Sequence, residues 1–248
     1  PILVLLRLEP HNSAMLLMAM IFASMLVCAG AGGLKLWGVV VPAALAGGWY
    51  FIQSLATGDG YAADRLGGVW GLTPTDTAGM LWQTRQSIYA ISTGGLFGVG
   101  IGNSVQKHQW LPYAENDFIF AVVCEELGFI GAIALIVLFG ALIVQGIAIA
   151  LNAPDFFGSL LGIGIMAQVA WQVFCHIGVA TALLPNTGIS LPFFSYGGTS
   201  LLILLGEMGI MLSISRAGNG RREARRQREQ EEMENRLHQK STYRRRRV

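Results

Sequence analysis

The sequence predicts an all-α polytopic membrane protein with about five full transmembrane helices plus a stub. Of its 248 residues, 53% are hydrophobic and only 13% are charged, and the mean hydropathy is +0.51. A soluble domain carries about 25% charged residues. Charge is also segregated, because residues 216–248 hold 12 of the 17 Lys and Arg side chains. We therefore expect a membrane domain over 1–215 and a basic tail over 216–248.

Five apolar stretches are candidates for the spans, since a membrane-crossing helix needs about 20 apolar residues. The run 118–151 is longer than one crossing requires, so we expect it to be tilted or to extend past the membrane. Residues 1–8 resemble the end of an earlier span, and the chain begins with Pro1, so we expect a piece of a longer protein. The predicted spans are 12–31, 34–55, 118–151, 157–183 and the shorter 197–215.

The basic tail fixes the expected topology. Basic segments stay on the cytoplasmic side of a membrane, so the C-terminus is predicted to be cytoplasmic. Counting back through the spans, the loops 56–116 and 184–196 face outward. A structureless loop as long as 56–116 is rare, so this loop should contain short helices and a functional surface.

Nucleotide and nucleic-acid roles have little support. The glycine-rich stretch GGLFGVGIGNS at 94–104 allows tight turns and close backbone approach. It lacks the GK[ST] ending of a phosphate-binding loop, and the chain has no dinucleotide fingerprint. We expect neither a nucleic-acid partner nor a nucleotide or organic cofactor.

Acidic residues stand out in LPYAENDFIFAVVCEELGF at 111–129. Asp117 opens an apolar run at the outer membrane surface, where it could serve chemistry; alternatively, Asn116 and Asp117 are good helix N-caps. Glu125 and Glu126 fall inside the run, where acids are costly and usually functional or paired. They point about 100° apart on a helix, so they cannot share one role. The alternative for one of them is to cap backbone donors of a neighbouring broken helix.

Two long motifs resemble the SEDS family (shape, elongation, division and sporulation), which contains FtsW, RodA and SpoVE. The first is GGLFGVGIGNSVQKHQWLPYAENDFIFAVVCEELGFIGA at 94–132, and the second is LLPNTGISLPFFSYGGTSLL at 183–202. QTRQSIYAISTGG at 83–95 fits a further family pattern, and Arg65 fits the arginine that opens the external loop. The resemblance covers roughly residues 5–215, and 103–107 slightly favour the FtsW branch.

The resemblance implies a fold and an activity. The chain would be the C-terminal part of a ten-span bundle with a long extracellular loop. Family members polymerise lipid II into peptidoglycan at the outer face of the bacterial cytoplasmic membrane, for division or elongation. They work with a class B penicillin-binding protein and with other divisome or elongasome proteins.

The resemblance also implies site residues. Asp117 matches the family's essential loop aspartate and would be the general base or a ligand of a divalent cation, Mg²⁺ or Mn²⁺. Arg65 and Lys107 would neutralise pyrophosphate, since cations bind phosphate oxygens strongly. The other residues expected to bind substrate are Gln83, Gln86, Ser87, Glu125, Glu126, Pro185, Thr187, Ser195, Tyr196 and Ser200.

Two other functions fit the same spans. A lipid II flippase would place Asp117 on a path through the bilayer and would form no polymer. A non-catalytic scaffold that recruits a penicillin-binding protein would leave the external acid without a task.

Overall fold

A computed structural model describes residues 12–30, 80–111, 114–184 and 186–245. Within these ranges all regular secondary structure is helical, which confirms the predicted fold class. The predicted stub 1–8, span 34–55, Arg65 and Pro185 lie outside the described residues. The helices are α1 (Asn12–Cys28), α2 (Met80–Gly94), α3 (Val105–Gln109), α4 (Ile119–Leu151), α5 (Phe156–Ala180) and α6 (Gly198–Arg245).

Three of these helices, α4, α5 and the Gly198–Met233 part of α6, are long and apolar enough to cross a membrane. The chain is therefore a multi-pass membrane protein. In the part of the loop 56–116 that the structure describes, α2 and α3 are the helical elements.

Helix α4 is broken at Gly128, where φ is 68° and ψ is −168°. Only glycine adopts this backbone region readily. Residues 129–151 alone are long enough, at 1.5 Å per residue, for the ~30 Å hydrocarbon core. The excess length of the apolar run 118–151 is thus a separate half-helix, 119–127, joined to the spanning helix through a sharp break.

Small residues bring α4 and α5 together. Gly146 lies against the Met166 side chain, and Gly162 lies against Ala150, so a Cβ at either glycine would overlap its neighbour. Such close contacts replace the hydrophobic effect as the source of attraction between helices in lipid. Helix α1 joins the other side of α5, where the Trp171 indole N–H donates to Ser24 Oγ at 3.0 Å.

Helix α6 continues through the expected boundary at residue 216 without interruption. Its membrane part buries Met211 and Ile214 against the core. Further along the same helix, Arg221 donates to the Pro154 carbonyl and Arg222 to the Asn152 side chain, at the turn between α4 and α5. The composition changes at 216 but the helix does not end there, because Arg, Glu and Gln are good helix formers.

Candidate active site

The glycine-rich loop 94–104 packs into the break in α4. Backbone hydrogen bonds of 2.8–3.3 Å occur in this loop and across the break. A Cβ at Gly94 or Gly98 would overlap the carbonyl of Cys124 or Glu126, so the close approach requires glycine. The loop thereby satisfies backbone groups that the break leaves unpaired, as buried backbone requires. The bonds across the break run from Val99 N to Glu125 O, Gly100 N to Glu126 O, Phe129 N to Gly95 O and Ile130 N to Leu96 O.

Glu125 caps the start of α3. Its carboxylate is 1% exposed and accepts the Ser104 hydroxyl at 2.5 Å and the Val105 N–H at 3.1 Å. The Ser104 oxygen in turn accepts the Lys107 N–H at 3.1 Å. Glu125 therefore fixes the short helix that carries the exposed Lys107. It binds a backbone donor, as the capping alternative has it, but the helix concerned is the short α3 and not a broken one. Direct contact of Glu125 or the half-buried Glu126 with substrate stays a prediction.

Asp117 lies just before α4, and the expectation that Asn116 or Asp117 caps this helix is wrong. The N-cap is Phe118, which has no side-chain capping bond. The Asp117 carboxylate is half-buried, and no described residue donates a hydrogen bond to it. Burial raises its pKa above the ordinary value, because the charged form loses solvation. A carboxylate of this kind is available as a proton acceptor or a ligand.

The loop 186–197 is tied to the segment that carries Asp117. Ser195 Oγ donates to the Asn116 carbonyl at 2.7 Å and accepts the Leu191 N–H at 2.8 Å. The Tyr196 N–H donates to the Glu115 carbonyl at 3.0 Å. Only the backbone of Tyr196 is used in this way, since its side chain is 81% exposed. The predicted residues Ser195 and Tyr196 thus flank Asp117.

His176 was not among the predicted site residues, yet it joins three elements of the site. It is 1% exposed on α5, and its Nδ1 lies 2.9 Å from the Ile189 carbonyl. Its Nε2 accepts the Phe120 N–H at 3.4 Å. A carbonyl can only accept, so the neutral ring with its hydrogen on Nδ1 satisfies both bonds. The available sequence signal was a histidine inside an apolar span.

Helix α2 supports the same region from the side. The Ser87 hydroxyl is fully buried and donates to the Ala180 carbonyl at 2.7 Å, at the end of α5. Gln83 Oε1 accepts the Asn186 side-chain N–H at 3.0 Å. Gln86 is buried beside them. Ser87 and Gln83 thus join α2 to the end of α5 and to the loop 186–197. Substrate contact by Gln83, Gln86 or Ser87 stays a prediction.

Two buried polar atoms, one beside Asp117 in the sequence and one in the loop 186–197, lack a hydrogen-bond partner in the described part of the chain. They are Asn116 Oδ1 and Thr187 Oγ1. Buried polar atoms normally find a partner. The Asn116 amide oxygen needs a donor such as a sugar hydroxyl, whereas the Thr187 hydroxyl could donate to a sugar or a phosphate oxygen. Ser200 is exposed in the first turn of α6, so its role also stays a prediction.

The described residues contain no group of three His, Cys, Asp or Glu side chains that could hold a metal ion alone. Asp117 offers a single carboxylate. Mg²⁺ is commonly bound by one or two carboxylates together with water and substrate phosphates. Within the described residues, the donor set therefore fits a cation that arrives with a pyrophosphate.

A helical membrane bundle with a carboxylate between two loops, which no described residue pairs, defines a polytopic membrane protein with a polar site beside one of its spans. The cell cycle protein family model of FtsW, RodA and SpoVE matches residues 2–220. The chain belongs to this family.

Individual relatives agree with this assignment. The chain is 51% identical to stage V sporulation protein E of Bacillus subtilis, over 57% of this chain and 38% of that protein. It is 40% identical to a probable peptidoglycan glycosyltransferase FtsW of Trichlorobacter lovleyi, over 85% of this chain and 54% of that protein. The chain thus spans about half, or less, of the length of these relatives.

A solved structure shares the fold. It is a peptidoglycan synthase complex described as coordinating polymerization and crosslinking. The match has a TM-score of 0.65 and 28% sequence identity, and it covers 87% of this chain and 59% of that one.

Proposed function

We propose that the protein containing this chain is a peptidoglycan glycosyltransferase. It would polymerise lipid II into glycan strands at the outer face of the bacterial cytoplasmic membrane, in division or elongation. The observation that carries the proposal is the Asp117 carboxylate, half-buried beside a membrane span and without a donor among the described residues. Family membership and the names of its relatives support the same activity.

The chemistry joins a sugar hydroxyl to an anomeric carbon whose leaving group is a lipid pyrophosphate. A new C–O bond forms, the C–O bond to pyrophosphate breaks, and the hydroxyl proton must be accepted by a base. Asp117 is the base in this proposal. Burial raises its pKa, which makes the carboxylate a better proton acceptor than an exposed aspartate.

The leaving group needs positive charge. Lys107 on α3 is exposed and is held in place through Ser104 and Glu125. Arg65, outside the described residues, is proposed for the same task. In the alternative role Asp117 would be a ligand of Mg²⁺ or Mn²⁺ instead of the base, and such an ion would stabilise negative charge on the leaving group.

The proposed partner is a class B penicillin-binding protein, which would crosslink the strands, together with other divisome or elongasome proteins. Support comes from the fold shared with a complex described as coordinating polymerization and crosslinking. We also propose that the basic C-terminal segment lies in the cytoplasm, because basic segments remain on the cytoplasmic side of a membrane.

The test is lipid II polymerisation by the full-length protein with its class B partner. Asp117→Asn keeps the side-chain shape and removes the charge, so we expect glycan synthesis to fall by about 10²-fold or more. Glu115→Gln is the matched control, because this exposed acid contributes only its backbone carbonyl to the loop contact. It should retain most activity. Each protein is assayed with divalent cation and then with chelator.

The outcomes separate the two functions. Glycan from wild type and Glu115→Gln, but none from folded Asp117→Asn, supports the transferase. If none of them forms glycan and lipid II crosses vesicle membranes, the flippase replaces the transferase as the function.

One contact favours the flippase as the second candidate. The Gln168 side chain donates to Glu207 at 3.1 Å between α5 and α6, and a transport path would need such polar groups within the bundle.

A further inference from the structure

Two helices in this chain begin with a side-chain cap of the same type. At α3 the Ser104 oxygen accepts the N–H of Lys107, three residues later, at 3.1 Å. At α5 the Asp155 carboxylate accepts the N–H of Gly158, also three residues later, at 2.8 Å. The first backbone N–H groups of a helix have no partner within the helix, and caps of this type satisfy them.

At α4 the same spacing would pair Asp117 with the Phe120 N–H. That N–H instead donates to His176 Nε2 at 3.4 Å. The ring of His176 is buried and is oriented by the Ile189 carbonyl, 2.9 Å from Nδ1. A side chain from another helix therefore occupies the donor that Asp117 would otherwise cap.

We propose that His176 is a positioning residue: it holds the Phe120 amide so that the Asp117 carboxylate stays out of a helix cap and remains available to the site. A capping carboxylate is bound by charge-assisted hydrogen bonds and directed at the helix end. Such a carboxylate is a weaker base and faces away from an incoming hydroxyl. The Asp117 carboxylate has no donor among the described residues, as this division of roles requires.

Only the catalytic consequence rests on the proposed function; the competition for the Phe120 amide can be measured without any substrate. The experiment is a double-mutant cycle in the full-length protein in detergent, read by thermal unfolding. His176→Leu keeps much of the side-chain volume and removes both hydrogen bonds. Asp117→Ala removes the potential cap. His176→Met replaces the leucine variant if that variant does not fold.

We expect Asp117→Ala to change the unfolding midpoint differently in the wild-type and His176→Leu backgrounds. With His176 present, Asp117→Ala should leave the unfolding midpoint unchanged or raise it, because its carboxylate makes no bond. With His176→Leu, the carboxylate can cap Phe120, so Asp117→Ala should lower the midpoint by a few degrees. Additive effects would overturn the proposal. Asp155→Ala is the control. It removes an independent cap at α5, so it should lower the unfolding midpoint by the same amount in both backgrounds.

Activity gives the second measurement. His176→Leu should lower kcat several-fold with little change in KM, because substrate contacts remain while the base is misdirected. His176→Gln offers a side-chain oxygen at a reach similar to Nε2 and should restore most of kcat. Equal loss in the leucine and glutamine variants would contradict the proposal. Coupling in the stability cycle without polymerisation by wild type would support the positioning role and refute the proposed transferase.

Discussion

The Ser104 hydroxyl lies 2.5 Å from Oε2 of Glu125, twenty-one positions along the chain. An acid inside the apolar run 118–151 is thus bonded to the start of the short helix α3. The same carboxylate accepts the Val105 N–H, and the Ser104 oxygen accepts the Lys107 N–H. The position of Lys107 consequently depends on Glu125, although the two residues belong to different elements.

Removing the Glu125 carboxylate should therefore affect both stability and substrate binding. Glu125→Ala leaves the buried Ser104 hydroxyl without its acceptor, at about 1–3 kcal/mol, and it also removes the acceptor of the Val105 N–H. Glu125→Gln keeps a side-chain oxygen for the Val105 N–H and should lose less. We expect a lower unfolding midpoint and a higher KM for lipid II, in the order alanine, glutamine, wild type. An alanine variant with wild-type stability and KM would show that α3 does not depend on this bond.

The loop packed into the break of α4 can be tested with two glycines of similar conformation. Gly98 has φ of 79° and lies where a Cβ would overlap the Glu126 carbonyl. Gly102 has φ of 83° and open space around it. Both alanine variants incur the strain of positive φ, roughly 1 kcal/mol, but only Gly98→Ala adds the overlap, at about 1–3 kcal/mol.

Thermal unfolding of the two glycine variants isolates the overlap as the difference between their midpoints. Gly98→Ala should be clearly less stable than Gly102→Ala, and it should also lose activity if the loop positions α3. Equal midpoints would mean that the loop does not lie against Glu126 as the structure has it.

Sequence patterns predicted the parts of the fold that depend on local composition. Apolar length alone located the helices Ile119–Leu151 and Phe156–Ala180 near the expected spans 118–151 and 157–183. The break at Gly128 was not predicted. A glycine in an apolar run is common, and this one opens the helix because residues 94–100, about thirty positions earlier, bond to the exposed backbone.

The candidate site shows the same limit. Asn116 and Asp117 carry a strong local capping signal, but a long-range contact from His176 satisfies the Phe120 amide instead. Motif resemblance, not local propensity, singled out Ser195, whose bond to the Asn116 carbonyl joins positions 79 apart. Local propensity cannot rank such contacts, because their energies depend on which elements the bundle brings together.

Asp117 should make stability depend on pH. Its pKa is raised in the folded protein, so between the ordinary value, about 4, and the raised value the folded state binds more protons than the unfolded state. Stability then falls as pH rises through that window. Asp117→Asn removes this dependence and should be at least as stable as wild type at neutral pH. Unfolding midpoints of both proteins between pH 4 and 7 give the measurement, with Glu115→Gln as control, and a less stable asparagine variant at pH 7 would contradict it.

The loop that flanks Asp117 offers a pair of adjacent substitutions with separate effects. Ser195→Ala removes the hydroxyl that bonds Asn116 and Leu191, and we expect a loss of about 1 kcal/mol in stability together with a lower kcat. Tyr196→Phe removes only an exposed hydroxyl, because the backbone N–H still holds the Glu115 carbonyl.

The phenylalanine variant should therefore unfold at the wild-type temperature and show a several-fold higher KM for lipid II, since the lost group is proposed to bind sugar or phosphate. Steady-state polymerisation at varied lipid II concentration, together with thermal unfolding of both variants, distinguishes a role in stability from a role in substrate binding. If Tyr196→Phe instead lowered the unfolding midpoint and left KM unchanged, the hydroxyl would belong to the framework and the substrate contact at this position would be wrong.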